Sequence, residues 1–171
     1  MGYDISDYES IHAPYGDVQD VEILAKALHD RNMKLMLDLV VNHTSDEHDW
    51  FVQSKLSKSS PKRDWYIWRP GTVDAQDNRV PPNNWKTSLG GGSVWEWDDA
   101  TEEYYLHLYD TKQPGMSTLV GIAADVADLN FENPDVREAI YELMRFWIKR
   151  GCDGFRVSTH SATTQLLTIY H

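Results

Sequence analysis

The sequence predicts an α/β fold, in which a parallel sheet or barrel is interrupted by an inserted subdomain. Two observations predict the sheet: an amphipathic helix leads into an apolar run at residues 34–41, and a second helix leads into the short segment DGFRV at residues 153–157. Helix and strand units in succession are typical of parallel sheets. The third observation is a long stretch of different composition between the two units, residues 44–132, which predicts the insertion.

The first unit begins with VQDVEILAKALHDRNM, residues 18–33, where apolar side chains recur at helical spacing. This stripe consists of Val18, Val21, Leu24, Ala25 and Leu28. The run KLMLDLVV that follows is typical of a strand buried on both faces. Asp38 lies midway along it, and we expect a buried, paired carboxylate that acts as a structural brace. The segment GYDISDY, residues 2–8, is predicted to end an earlier strand.

The second unit carries clear helix boundaries. Asn133 is placed to cap the helix, Pro134 takes its first position, and Gly151 follows its end. The expected buried stripe comprises Val136, Ile140, Leu143 and Trp147.

The insertion is rich in aromatic residues set among proline, glycine and asparagine. Its tryptophans are Trp50, Trp65, Trp68, Trp85, Trp95 and Trp97. The segment VWEWDDATEEYYLHLY, residues 94–109, predicts a β-hairpin with a polar turn. For any single ring we favour packing, whereas the group also suits sugar binding, since pyranose rings stack their C–H faces on aromatic rings.

Composition excludes several classes of partner. The net charge of -11 and the pI near 4.9 argue against binding to nucleic acid or to an anionic membrane surface. The single cysteine, Cys152, cannot form an internal disulfide. No apolar run is long enough to span a bilayer and the N-terminus lacks a secretory signal pattern, so we expect a cytoplasmic protein.

Functional side chains are expected where the strands end, because loops at the carboxyl ends of parallel strands build the site. The segments to inspect are 3–7, 38–43 and 156–158. His43 directly follows a strand, where it can donate to a substrate hydroxyl or serve a capping or packing role.

A metal site is the rival interpretation of NHTSDEHDW, residues 42–50. His43, Asp46, His48 and Asp49 are the side chains that could serve as ligands. Thr44 with Glu47, however, matches a capping box that opens a helix, which would make these charges a solvated first turn, and we favour that interpretation. No glycine-rich phosphate loop or CxxC pair occurs, so no metal or other cofactor is predicted.

Several motifs, in order along the chain, point to one family. They are MGYDISDY, DLVVNHTSDEHDWF, SPKRDWYIWR, PPNNW, DLNFENPDVREAI and GCDGFRV. Together they resemble the maltase and oligo-1,6-glucosidase branch of the α-amylase superfamily (glycoside hydrolase family 13), and within it the fungal-type intracellular α-glucosidases. The resemblance extends over the chain apart from residues 115–127 and those after Val157.

The resemblance implies a partial (β/α)8 TIM barrel, about strands 2 to 4, with an α+β lobe inserted after strand 3. Residues 1–43 would supply strands 2 and 3, residues 44–132 the lobe, and residues 133–157 helix 3 and strand 4. The implied activity is retaining hydrolysis of small α-glucosides of the maltose, isomaltose or sucrose type.

The resemblance also implies site residues. Tyr3 would stack on the glucose that is cleaved, His43 and Arg156 would hold its hydroxyls and the nucleophile, and Asp38 and Asn42 would be structural at the site. The family's aspartate nucleophile lies two residues after that arginine, where this chain has Ser158.

Ser158 bears directly on activity. Retaining hydrolysis needs two carboxylates about 5.5 Å apart, and the family's general-acid glutamate would lie beyond residue 171. A serine without a nearby base supplies neither a nucleophile nor a counter-charge. We therefore expect the chain itself to be an inactive α-glucosidase fragment; the alternative is a non-catalytic carbohydrate-binding or regulatory relative.

Two segments have a hypothetical genetic origin. Residues 115–127 interrupt what the family writes as QPDLN, and codons for Gly115–Ser117 and Ala127–Asp128 can contain an intron donor and acceptor. Codons for Val157–Ser158 can likewise spell a donor. We interpret residues 115–127 as a translated intron and residues 158–171 as a non-native tail.

Overall fold

The structure is a computed structural model that describes residues 3–87, 92–108 and 126–157 of the 171-residue chain. The chain forms two compact units. One, the lobe unit, comprises Met1–Ser6 and His43–Asn133; the other, the sheet unit, comprises Asp7–Asn42 and Pro134–His171.

The described residues contain α-helices, β-strands and two short 3-10 turns. The helices are α1 (Val18–His29), α2 (Asp49–Lys55) and α3 (Pro134–Ile148). The strands are β1 (Met36–Leu39), β2 (His43–Ser45), β3 (Trp68–Arg69), β4 (Thr72–Val73), β5 (Arg79–Val80), β6 (Trp95–Asp98), β7 (Glu103–Leu106), β8 (Val126–Asp128) and β9 (Gly154–Val157). The 3-10 turns are Ala13–Tyr15 and Arg63–Trp65. None of these helices is long and apolar enough to cross a bilayer.

The sheet unit confirms both predicted helix and strand pairs. α1 precedes β1, α3 precedes β9, and β1 and β9 pair in parallel, with Met36 opposite Gly154 and Asp38 opposite Arg156. The two strands therefore end at the same edge of the sheet.

Local sequence signals set the helix boundaries in this unit. The carboxylate of Asp17 accepts hydrogen bonds from the backbone N–H groups of Gln19 and Asp20, and that of Asp20 accepts from the backbone of Asp17, which completes a capping box at the start of α1. α3 begins at Pro134, as predicted. Gly151 follows α3 with φ +98°, and a Cβ there would lie 2.8 Å from the Cβ of Ala25, so glycine fits both the conformation and the close contact.

The buried stripe of α3 is confirmed. Its buried residues are Val136, Ile140, Leu143 and Trp147. The indole Nε1 of Trp147 donates to the carbonyl of Tyr8 at 2.9 Å, which ties the helix to the loop before α1. The stripe thus combines apolar burial with a satisfied polar edge.

Three expectations for the first part of the chain are wrong. First, β1 is not buried on both faces, since Met36 is 63% exposed and Asp38 is also exposed. Second, the predicted apolar stripe of α1 is only partly buried, since Ala25 is buried but Leu24 is half exposed. Within the described ranges β1 has β9 as its sheet neighbour, and burial follows from what covers a strand, not from its own composition. Residues 3–8 form no strand; the Ile5 carbonyl instead accepts from the Ser45 N–H.

The lobe unit contains the predicted hairpin. β6 and β7 pair antiparallel with Trp95 opposite Leu106, and β3 lies on the other side of β7. Val94, Trp95, Tyr104 and Leu106 form its core cluster. Most of the predicted tryptophans therefore pack, as favoured for single rings, although Trp85 is exposed.

β8 contains the last two residues of the segment interpreted as a translated intron. Val126 and Ala127 are buried and lie opposite Ser45 and Thr44 of β2. The remaining residues of that segment, 115–125, lie outside the described residues, as do Ser158 and the rest of 158–171.

A buried arginine connects several segments of the lobe unit. The guanidinium of Arg63 donates to Glu103 at 2.6 Å, to Thr101 at 3.2 Å and to the carbonyl of Ser54 at 3.2 Å. It also stacks on the ring of Trp68, 3.5 Å from the centroid. Since these partners come from three places in the sequence, residues 54, 68 and 101–103, one side chain fixes the relative positions of short elements.

We expect Arg63→Met to lower the free energy of unfolding by about 3 kcal/mol, because removing one partner leaves the other charge partly buried. Urea unfolding followed by tryptophan fluorescence measures this loss. Arg69→Met is the matched control, since Arg69 is exposed, and a loss for Arg63→Met no larger than for the control would contradict the structural role.

A second charged network holds the start of β9. The carboxylate of Asp153 accepts from Lys34 Nζ and from His29 Nε2, each at 2.7 Å, and from the backbone N–H of Leu35 at 2.9 Å. The Asp153 N–H in turn donates to the Leu35 carbonyl. The hydrogen bonds from Lys34, His29 and Leu35 hold the pKa of Asp153 well below its ordinary value of 3.8.

This depressed pKa predicts a pH dependence of stability. A carboxyl whose pKa is lower in the folded state stabilises the fold above its unfolded pKa, and that contribution is lost as the pH falls toward the folded value. The stability difference between the parent chain and Asp153→Asn should therefore be full above about pH 5 and shrink below about pH 4. Urea unfolding at several pH values measures it.

Asp38→Asn is the matched control. It also removes a carboxylate from the sheet formed by β1 and β9, but this carboxylate belongs to an exposed ion pair. We expect it to change stability little. A difference for Asp153→Asn that grows as the pH falls below 4 would show the opposite sign and contradict the assignment.

Candidate active site

The parallel strands bring Asp38 and Arg156 together. Nη1 of Arg156 lies 3.0 Å from Oδ2 and 3.3 Å from Oδ1 of Asp38. The side chain of Arg156 is 68% exposed and that of Asp38 is 48% exposed. Because one nitrogen makes both contacts and a guanidinium carries five N–H donors, Arg156 keeps donors for a ligand.

The predicted pairing of Asp38 is thus confirmed, while its predicted burial is wrong. The strand places the carboxylate on the exposed face beside Arg156. Asn42 is buried three residues after the end of β1. Close by in the sequence, the Val40 carbonyl accepts from the Tyr8 hydroxyl at 2.8 Å. The backbone that leaves β1 is therefore held from within the sheet unit.

The lobe unit brings Tyr3 and His43 together. Nε2 of His43 lies 2.8 Å from the carbonyl oxygen of Tyr3. A carbonyl only accepts hydrogen bonds, so Nε2 carries the proton. His43 is 8% exposed and opens β2 opposite Asp128, whereas the Tyr3 side chain is half exposed. The contact joins the imidazole to the backbone of residue 3 and leaves the phenol ring open to one side.

Each pair therefore lies within one unit. Tyr3 and His43 belong to the lobe unit, and Asp38, Asn42 and Arg156 to the sheet unit. Ser158 lies outside the described residues.

The rival metal ligands have other partners. His48 Nδ1 accepts from the Trp50 N–H at 3.1 Å and caps α2, so the predicted capping box of Thr44 and Glu47 is wrong. The Thr44 hydroxyl instead donates to the Ser45 carbonyl, and it also hydrogen-bonds to the hydroxyl of Tyr66. Burial raises the pKa of Tyr66 far above its ordinary value. In the residues that the structure describes, no three histidine, cysteine or acidic side chains gather as a metal site would require.

Sequence reasoning did not single out Asp128. It is buried in β8, and its Oδ2 accepts from the Leu108 N–H at 2.6 Å. Its place opposite His43 puts a carboxylate next to the start of β2. The sequence signal that could have identified Asp128 is an acidic residue at the end of an apolar segment, because a buried carboxylate needs a hydrogen-bond partner.

Comparison with known proteins identifies the family. The model of the alpha amylase catalytic domain matches residues 1–166. The α-glucosidase of Schizosaccharomyces pombe is 52% identical over 157 residues, which are 92% of this chain and 25% of that protein. The oligo-1,6-glucosidase of Parageobacillus thermoglucosidasius is 50% identical over 91% of this chain and 24% of that protein.

Solved structures agree with this match. The trehalose-6-phosphate hydrolase of Bacillus licheniformis superposes with a TM-score of 0.77 at 45% identity, over 91% of this chain and 25% of that chain. A mutant isomaltulose synthase from Erwinia rhapontici NX5, in complex with its natural substrate sucrose, gives a TM-score of 0.77 at 42% identity, over 92% and 25%. The chain spans about a quarter of the length of these relatives. Its structural neighbours are TIM-barrel enzymes, and the chain belongs to the α-amylase family (glycoside hydrolase family 13).

Proposed function

We propose that this chain is part of an α-glucosidase that removes glucose from short α-glucosides of the maltose, isomaltose or sucrose type with retention of configuration. In this proposal β1 and β9 are barrel strands 3 and 4, and the lobe unit follows strand 3. The observation that carries it is the exposed pair of Asp38 and Arg156, which lies where two parallel strands end.

Arg156 supplies positive charge and directional donors at that edge. Its guanidinium holds a sugar hydroxyl and the carboxylate that attacks the anomeric carbon, and it favours the ionised form of that carboxylate. Asp38 fixes the orientation of the guanidinium through Nη1. Asp38 is thus a positioning residue.

Tyr3 and His43 supply the other contacts to glucose. The half-exposed ring of Tyr3 offers a face on which a pyranose can stack. The Nε2–H of His43 already donates to the Tyr3 carbonyl. To donate to a sugar hydroxyl, that N–H must first break its hydrogen bond to the Tyr3 carbonyl. Sugar binding by His43 therefore requires residue 3 to move.

The 171-residue chain itself does not hydrolyse α-glucosides, because Ser158 stands at the nucleophile position. A neutral hydroxyl without a base cannot form the covalent intermediate or stabilise an oxocarbenium charge. In the same proposal residues 115–127 and 158–171 are translated introns. Removing residues 115–127 would join Pro114 directly to Asp128 in the sequence.

A chimera tests these assignments. Residues 3–158 replace the matching segment of the Schizosaccharomyces pombe α-glucosidase, without residues 115–127, and hydrolysis of maltose is measured. The chimera with Ser158 should be lower in kcat by roughly 10⁴-fold or more than the chimera with Ser158→Asp, because the latter restores the nucleophile.

Ser158→Asn is the matched control, since it has the shape of aspartate without the charge, and it should remain inactive. Equal turnover of the Ser158 and Ser158→Asp chimeras would contradict the assignment of the nucleophile position. Inactivity of a folded Ser158→Asp chimera would contradict the glucose-binding roles proposed for Tyr3, His43 and Arg156.

Ser158 also favours a second candidate, a non-catalytic carbohydrate-binding relative. In that case maltose should raise the melting temperature of this chain without turnover of p-nitrophenyl α-glucoside. The high negative charge supports a neutral sugar partner over nucleic acid or an anionic membrane in both cases. A cytoplasmic location stays a prediction.

A further inference from the structure

Asp128 is an acidic residue buried at a position where an apolar side chain would be favourable. It ends β8, whose other residues, Val126 and Ala127, are apolar, and Leu129 follows it. All four residues are buried, and Asp128 is 3% exposed. A buried carboxylate loses its contacts with water, whereas an apolar residue at the same place would gain free energy from burial. The acid therefore needs an explanation other than packing.

The carboxylate ties the end of β8 to the core of the lobe unit. Oδ2 of Asp128 accepts from the backbone N–H of Leu108 at 2.6 Å. Leu108 packs against the core cluster, and the residue before it, His107, donates its backbone N–H to the Val94 carbonyl at 2.8 Å. The N–H group that Asp128 binds thus belongs to a backbone that is itself held in place. The hydrogen bond therefore positions the acid and the strand that carries it.

The strand opposite Asp128 presents the imidazole of His43. β2 and β8 pair antiparallel, with His43 directly opposite Asp128. Opposite residues of such a pair project from the same face, with Cβ atoms about 5 Å apart. Tyr66 holds the strands on both sides of this pair, since its hydroxyl bonds to that of Thr44 at 2.8 Å and its backbone forms a bridge with Leu129. A displacement of Asp128 would therefore move the backbone from which the imidazole projects.

The position of the imidazole decides which acceptor it can reach. Nε2 of His43 lies 2.8 Å from the Tyr3 carbonyl oxygen, and a displacement of about 1 Å would break a hydrogen bond of this length. His43 is 8% exposed, so a displaced ring has little room to find another partner. In the proposed function the same N–H donates to a hydroxyl of glucose, and that contact needs equally exact placement.

We propose that Asp128 is a positioning residue for His43. Its carboxylate binds the Leu108 N–H, holds the end of β8 and, through the register of β2 and β8, fixes the imidazole beside the Tyr3 carbonyl. The acceptor oxygen is what this role requires, not the charge, because a neutral amide oxygen can also accept from the Leu108 N–H. The consequence for sugar binding rests on the proposed function, whereas the position of His43 does not.

NMR of the 171-residue chain with ¹⁵N-labelled histidine tests the position of the ring. The Nε2–H signal of His43, identified by its loss in His43→Gln, should exchange slowly with water, because the imidazole is buried and hydrogen-bonded. Asp128→Ala should raise the exchange rate by roughly tenfold or more, and Asp128→Asn by no more than about twofold. If Asp128→Ala does not fold, Asp128→Glu replaces it, since the longer side chain displaces the acceptor and should raise the rate several-fold.

Asp98→Ala is the matched control for loss of stability. Asp98 is also a buried acid of the lobe unit, and it accepts from the backbone N–H of Thr101 at 3.0 Å. It lies on β6, which does not pair with β2. Its removal should affect the exchange rate of His43 at least tenfold less than the removal of Asp128.

The active chimera, with Ser158→Asp, measures the consequence for hydrolysis. Asp128→Ala should lower kcat/KM for maltose by roughly tenfold, mainly by raising KM, and Asp128→Asn should restore it. In a His43→Ala background, Asp128→Ala should cause no further loss, because both changes remove the same contact. A merely structural acid such as Asp98 should instead have the same effect with and without His43.

Three results would overturn the inference. They are equal effects of Asp128→Ala and Asp98→Ala on the His43 signal, an Asp128→Asn variant as impaired as Asp128→Ala, and losses in kcat/KM that add when His43 and Asp128 are both replaced. An inactive Ser158→Asp chimera would refute the proposed function alone if the His43 signal still responds to Asp128 as expected.

Discussion

The register between β1 and β9 is the constraint on which the sheet unit depends, and Asp153 sets it. Its carboxylate and backbone N–H bind residues 34–35 immediately before β1, so the two strands start together. In this register Asp38 stands opposite Arg156. A shift by one residue would turn one of the two side chains to the other face of the sheet. The contacts of Asp153 at the start of the strands therefore determine which residues face each other near their end, where Asp38 and Arg156 form the candidate site.

In the lobe unit a buried arginine, Arg63, fixes the relative positions of the segments. Its strands are short, and Phe51, which is fully buried, packs against Tyr66, Trp68 and Tyr105 without regular layers. Apolar packing alone specifies such loops poorly, because many arrangements bury similar areas. The buried guanidinium of Arg63, with partners on three other segments, selects one of these arrangements. In the neighbouring part of the lobe, Tyr104 packs against the ring of Trp97 and lies directly beside Gly71.

What the sequence predicted correctly was local. The start of α3 at Pro134 and its stripe through Trp147 follow from a cap and a 3.6-residue period, and the β6 and β7 hairpin follows from alternation around a polar turn. What it missed depends on tertiary contacts. The burial of Met36 and Leu24 is set by neighbouring elements, and Thr44 does not cap α2 because its hydroxyl is bonded to Tyr66, which is distant in sequence. The resemblance to a family named Tyr3 and His43, but their contact uses a backbone carbonyl, which no side-chain pattern encodes.

The charge and exposure of Arg156 connect the fold to the proposed hydrolysis. Exposed ion pairs contribute little to stability, so the pair with Asp38 is poorly explained as a stabilising contact. The guanidinium is 68% exposed at the end of a parallel strand, which agrees with the contact to a sugar hydroxyl in the proposed function. In the proposed function, the positive charge of Arg156 favours the ionised form of an aspartate at the nucleophile position. Among the described residues Arg156 is paired with Asp38, which lies on β1 and accepts from Nη1 of the guanidinium. In the proposed function, Ser158 therefore removes the nucleophile, whereas Arg156 and Asp38 are still present.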